Sequence, residues 1–127
     1  MSSNRFALIV EDEIDLAIIF SKALQEAGFE TQIVRAGDTA LMWLNSTQPQ
    51  IVILDLHLPR VSGEDILKQI RADARLEETK VIISTADPRL GELLQDQADL
   101  VLLKPIGFSQ LRDLAARLGF EELTPEE

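Results

Sequence analysis

The stretch from Ile51 to Gly63, IVILDLHLPRVSG, decides the fold. Four apolar residues, Ile51 to Leu54, run unbroken into Asp55. A strand without polar alternation must be covered on both faces, which predicts the centre of a parallel sheet. Asp55 stands where that strand would meet solvent. In an open α/β sheet the carboxyl ends of the strands border the ligand crevice, so an acid there is a candidate for chemistry. Pro59 restricts the loop that follows, and Ser62-Gly63 turn it into a helix.

On either side of this stretch, strand and helix patterns alternate. Phe6 to Val10 (FALIV) reads as a first buried strand, stopping at Glu11, Asp12 and Glu13. Leu16, Ile19, Phe20, Ala23, Leu24 and Ala27 then recur at the spacing of one helix face. Asp15 sits in the first turn, where the helix dipole favours negative charge, and Gly28 is a stop signal. Glu30 to Arg35 predicts a partly polar strand, fit for a sheet edge, and Asp38 a cap for a helix through Leu41, Trp43 and Leu44. After Gly63, Ile66, Leu67 and Ile70 share a helix face, and Ser62 with Asp65 resembles a capping box. Lys80 to Ser84 is a fourth strand. Asp87-Pro88 caps and opens a helix expected to reach Gln97, short or mobile because Gly91 costs it about 1 kcal/mol relative to alanine. Leu100 to Leu103 is a fifth strand. The last helix is predicted over Phe108 to Leu118, burying Leu111, Leu114, Ala115 and Leu118, with Gly119 ending it. Five strands alternating with five helices imply a parallel sheet with helices on both faces.

A chain of 127 residues, 46% hydrophobic, suits one domain over residues 1–127, with a core of about 6–118 and an acidic tail over 119–127. The formal net charge of −10 argues against direct binding to nucleic acid or an anionic membrane. There is no cysteine, which excludes disulfides and thiol chemistry. No stretch reads as a signal peptide or a membrane span, so a cytoplasmic location is the default expectation.

Four of the five predicted strands end in distinctive polar residues: Glu11-Asp12, Asp55, Ser84-Thr85 and Lys104. In a parallel sheet these ends share one edge. Carboxylates gathered there repel, by roughly 4 kcal/mol for two charges at about 4 Å and an effective dielectric near 20. A hard divalent cation such as Mg²⁺, held by oxygens, would offset this. Lys104 can hold an anionic group as a point charge, and the Thr85 hydroxyl can donate to a phosphoryl oxygen. These parts suit one reaction, in which Asp55 is the nucleophile towards a phosphoryl group and becomes an acyl phosphate.

With VEDE carrying Glu11-Asp12, ILDLHLPRVSG carrying Asp55, STA carrying Thr85 and LLKP carrying Lys104, the sequence resembles the receiver domain of two-component response regulators over about Phe6 to Leu118. The resemblance implies a flavodoxin-like α/β fold with strand order 2-1-3-4-5. It implies Mg²⁺ held by Glu11, Asp12, Asp55 and the backbone carbonyl of His57. It implies Asp55 as phosphoacceptor from a sensor histidine kinase or phosphotransfer protein, Thr85 and Lys104 as phosphoryl ligands, and a cis Lys104-Pro105 bond. It implies docking of the kinase on the first helix, where Ile14 and Ile18 lie off the apolar stripe. It implies an effector or self-dimer contact through the fourth helix, fifth strand and fifth helix, with Arg89, Arg112 and Arg117.

The pattern departs from the family in three places. Glu11 stands where aspartate is commoner. Val101 stands where many receivers carry Tyr or Phe as a rotating switch. His57 and Asp87 occupy positions that tune phosphoryl lifetime in the family. The expectation is a switch and not an enzyme. A phosphatase of similar sheet would want an acid where His57 stands, and dinucleotide binding lacks a G-x-G-x-x-G after the first strand. The alternative is a degenerate receiver that binds partners without phosphorylation.

Overall fold

The computed structural model describes residues 5–123. Five strands, β1 (Phe6–Val10), β2 (Glu30–Val34), β3 (Ile51–Asp55), β4 (Lys80–Thr85) and β5 (Leu100–Leu103), alternate with α1 (Ile14–Glu26), α2 (Gly37–Ser46), α3 (Gly63–Ala72), α4 (Pro88–Leu94) and α5 (Phe108–Leu123). All strand pairs are parallel and the order is β2-β1-β3-β4-β5. The Ile51 strand lies at the centre, and all five of its residues are buried.

Strand alternation sorts the core into two layers. Leu8, Val10, Val52, Leu54, Val81 and Ile83 face α2, α3 and α4. Ala7, Ile9, Ile51, Ile53 and Ile82 face α1 and α5. Burying side chains of this size contributes about 1.5–3 kcal/mol each.

The helix ends follow local chemistry. The Ser62 hydroxyl accepts from the Asp65 amide at 3.1 Å, and Asp87 accepts from the Arg89 and Leu90 amides at 3.1 and 3.3 Å. Gly28, at φ +100°, turns the chain after α1. The Lys104-Pro105 bond is cis, as the resemblance implied.

Four local expectations are corrected. Ile19 is 41% exposed, because two residues beyond Ala17 it is turned about 200° around the helix, and small Ala17 centres the buried face instead. Helix α2 begins at Gly37, one residue before the predicted cap, and Asp38 accepts from the Thr39 amide within the first turn. Helix α4 ends at Leu94 and passes into a 3-10 turn over Gln95–Gln97. Helix α5 runs through Gly119 to Leu123, since an interior glycine costs a helix only about 1 kcal/mol and stops it only when the chain turns there. The end of the expected acidic tail, residues 124–127, lies outside the described residues. Among the described residues no helix is long and apolar enough to cross a membrane.

Candidate functional site

The carboxyl ends of β1, β3 and β4 stand side by side. Val10 pairs with Leu54 and Asp55 pairs with Ser84, so Glu11, Asp55 and Ser84 form a row across the three strands. Alternation turns this row towards the α1 and α5 layer, and Lys104, just past β5, reaches over it.

Lys104 Nζ lies 3.1 Å from Glu11 Oε1, 3.4 Å from Glu11 Oε2 and 3.6 Å from Asp55 Oδ1. Glu11 is 2% exposed and Asp55 4%. One ammonium therefore stands between two buried carboxylates and offsets their repulsion. Burial pushes the Glu11 carboxyl above the usual carboxylate range. The Glu13 amide, donating to Oε2 at 3.1 Å, works against that rise, Asp55 adds to it, and Lys104 lowers it.

The loop after Asp55 folds back on the same site. The His57 amide donates to Asp55 Oδ1 at 3.2 Å, and the His57 side chain is exposed. Gly63 closes the loop, where a Cβ would lie 2.3 Å from the Asp55 carbonyl oxygen. Only a residue without a side chain lets α3 start so close to the strand end.

Thr85 is fully buried, and its hydroxyl accepts from the Asp87 amide at 3.0 Å. Its carbonyl accepts from the Lys104 amide at 2.8 Å, which ties the ends of β4 and β5 together. Val101 packs against α4 where a Cβ on Gly91 would lie 2.9 Å from its Cγ1.

Of the residues singled out from sequence, the structure brings Glu11, Asp55 and Lys104 into direct contact and places Thr85 at the end of the adjoining strand. Asp12 is different: its side chain is exposed, and its carbonyl accepts from Arg35 Nε at 3.1 Å. Among the described residues no group of three or more His, Cys, Asp or Glu side chains is gathered as a metal cage. The residues present nonetheless fit a hard cation. The donor set is all oxygen, and a single ammonium, that of Lys104, is shared between two buried carboxylates. Ser84, which closes the fourth predicted strand before Thr85, carries no role of its own in the sequence reading. It is fully buried next to Asp55, and its hydroxyl has no partner. The one available signal was a polar residue ending an otherwise apolar strand.

Residues 7–116 match the model of the response regulator receiver domain family. The chain belongs to that family. The receiver is 33% identical over 116 residues to a protein of Methanothrix harundinacea (strain 6Ac) named "Probable methanogenesis regulatory protein FilR2", covering 83% of this chain and 75% of that one. It is 36% identical over 113 residues to the sensory transduction protein RegX3 of Mycobacterium bovis (strain ATCC BAA-935 / AF2122/97), covering 87% of this chain and 48% of that one. Among solved structures, a CheY-like response regulator receiver domain from Methylobacillus flagellatus superposes with a TM-score of 0.80 at 31% identity, over 91% of this receiver and 99% of that chain. The chain thus spans about half the length of RegX3.

Proposed function

We propose that this receiver takes a phosphoryl group on Asp55 from a sensor histidine kinase or a phosphotransfer protein and changes conformation to control a partner. The single observation that carries the reading is the buried contact of Lys104 Nζ with both Asp55, at 3.6 Å, and Glu11, at 3.1 Å. An Asp55 carboxylate oxygen attacks phosphorus, the P–N bond to the donor imidazole breaks, and the imidazole keeps the electron pair. Lys104 is already placed to follow the negative charge from the carboxylate to the phosphoryl oxygens. The His57 amide holds Asp55 Oδ1 and fixes which oxygen is presented. The Thr85 hydroxyl, which accepts from the Asp87 amide, would keep its own hydrogen to donate to the phosphoryl group.

Mg²⁺ would be held by Asp12, Asp55 and the His57 carbonyl, with Glu11 beside them, and when bound it supplies positive charge that offsets the transferring phosphoryl group. The protein acts in this reading as a switch and not as an enzyme turning over a separate substrate. Any output carried by a longer protein, as the length of RegX3 suggests, follows from the change at this site.

The test is mass spectrometry after incubation with acetyl phosphate and Mg²⁺. A gain of one phosphoryl group, lost in Asp55→Asn, supports the reading, and an unmodified wild-type protein overturns it. The second reading, a receiver that binds partners without phosphorylation, is favoured by the lack, among the described residues, of three acidic side chains gathered as a metal cage. The same experiment separates the two.

A further inference from the structure

The β2–α2 turn together with the first residues of α2, Arg35–Asp38, holds none of the residues placed at the site, yet it touches both the loop that carries Glu11 and Asp12 and the loop that follows Asp55. On one side Arg35 Nε donates to the Asp12 carbonyl at 3.1 Å, and the Glu11 amide donates to the Val34 carbonyl at 3.1 Å. On the other side the Gly37 amide donates to the Pro59 carbonyl at 3.2 Å. Gly37 is pressed so closely to the β3–α3 loop that a Cβ there would lie 2.0 Å from the Val61 carbonyl oxygen. Between Pro59 and Val61, Arg60 has φ +74°, a left-handed conformation that side chains other than glycine rarely adopt. Such strain persists only where the surroundings over-determine the backbone. Here the surroundings are the Gly37 amide, the Val61 amide bonded to the Pro59 carbonyl at 3.0 Å, and the exposed Arg60–Asp38 pair at 3.8 Å.

We infer that Arg35 and Gly37 are positioning residues for the phosphoryl-accepting site, the β2–α2 turn bracing the Glu11–Asp12 loop against the His57–Val61 loop. The inference rests on the proposed function for the identity of the site. Its logic is geometric. The Asp12 carboxylate is exposed, so its aim depends on its backbone, and Arg35 holds that backbone. The His57 carbonyl is aimed by a loop that includes a strained residue, and Gly37 holds that loop. One short turn therefore fixes the spacing between two sets of oxygens that a single cation must reach together. Groups that orient metal ligands from behind typically change metal affinity by about 10–100-fold when removed.

The test is a Mg²⁺ titration of the full chain, followed by backbone amide chemical shifts, together with amide hydrogen exchange in Mg²⁺-free protein. Arg35 is exposed, so Arg35→Met keeps the fold and the aliphatic stem but removes the donor. Arg35→Lys keeps a charge and a donor. Lys22→Met removes an equal charge from an exposed position on α1. Expected are a Mg²⁺ Kd about tenfold weaker in Arg35→Met, recovery in Arg35→Lys and little change in Lys22→Met. Faster exchange at Glu13 in Arg35→Met, and at Val61 in Gly37→Ala, is expected without Mg²⁺. A Kd for Arg35→Met within about twofold of wild type, or an equal loss in Lys22→Met, overturns the brace. A wild-type protein without Mg²⁺-dependent shifts sinks the reading of the site itself. Exchange then decides the brace alone, and unchanged rates at Glu13 and Val61 overturn it.

Discussion

Glu11 places a carboxylate inside the fold at the end of β1. Its carboxylate is buried and shares one ammonium with Asp55. Burial raises its pKa above the unfolded value, so its ionisation at neutral pH costs more in the folded protein than in the unfolded chain and weakens the fold. A neutral isostere removes that penalty. Glu11→Gln is expected to have a higher denaturation midpoint than wild type without Mg²⁺, and a smaller gain when Mg²⁺ is added. A midpoint below wild type without Mg²⁺ would show that the pairing with Lys104 outweighs the burial. At this scale much of the site was legible. A lysine closing an apolar strand and acids closing two others are unusual enough to be noticed one by one. What the sequence did not reveal was which of Glu11 and Asp12 is buried. Neighbours in a chain turn to opposite sides, and only the Val10–Leu54 register shows that Glu11 is the one in line with Asp55.

Helix α1 carries the prediction that belongs to single elements. Ile14, Ile18 and Ile19 are 39%, 41% and 41% exposed, which leaves three branched apolar side chains in water on one helix. Two were expected there. The third was read into the buried stripe because Leu16 and Ile19 are three apart, the same interval that joins true core neighbours. We expect Ile18→Asp to slow phosphotransfer from a cognate kinase about tenfold, worth about 1.4 kcal/mol, while labelling by acetyl phosphate stays at the wild-type rate. Equal rates from the kinase would make this ordinary surface. On α5, Arg112, implied by the resemblance to lie on an effector or dimer surface, is partly exposed and paired within the chain. It reaches Glu26 of α1 at 3.5 Å and Asp113 at 2.9 Å, and so joins the two helices that cover the same face of the sheet. Leu93 and Leu103, 71% and 50% exposed, are the larger apolar surfaces of the α4–β5 side. Helix ends were the least legible feature. Gly28 and Gly119 are both glycines, yet one turns the chain and the other continues a helix, a difference that residue type alone does not contain.

The architecture of the whole molecule was legible because five apolar runs and the helical spacings between them allow few other layered solutions. The strand order was implied by family resemblance and not by periodicity, which says nothing about neighbours in a sheet. A ligand that binds only the folded state stabilises all of it, so Mg²⁺ at ten times its Kd should add about 1.4 kcal/mol to unfolding. Calorimetry with and without Mg²⁺ checks this, and Asp55→Asn should lose most of the gain. The sheet also separates the parts of the site. Glu11, Asp55 and Lys104 gather on the α1 and α5 side, whereas Thr85, one residue beyond Ser84 along β4, lies on the other, 3.4 Å from where a Cβ of Gly91 would sit. If a phosphoryl group on Asp55 drew the Thr85 hydroxyl over the rim, the methyl on the same carbon would move with it beside Gly91 of α4. On the proposed reading, one threonine at the sheet's edge would then link the carboxylate end of the site to a helix on the far side, with Val101 where many receivers carry an aromatic.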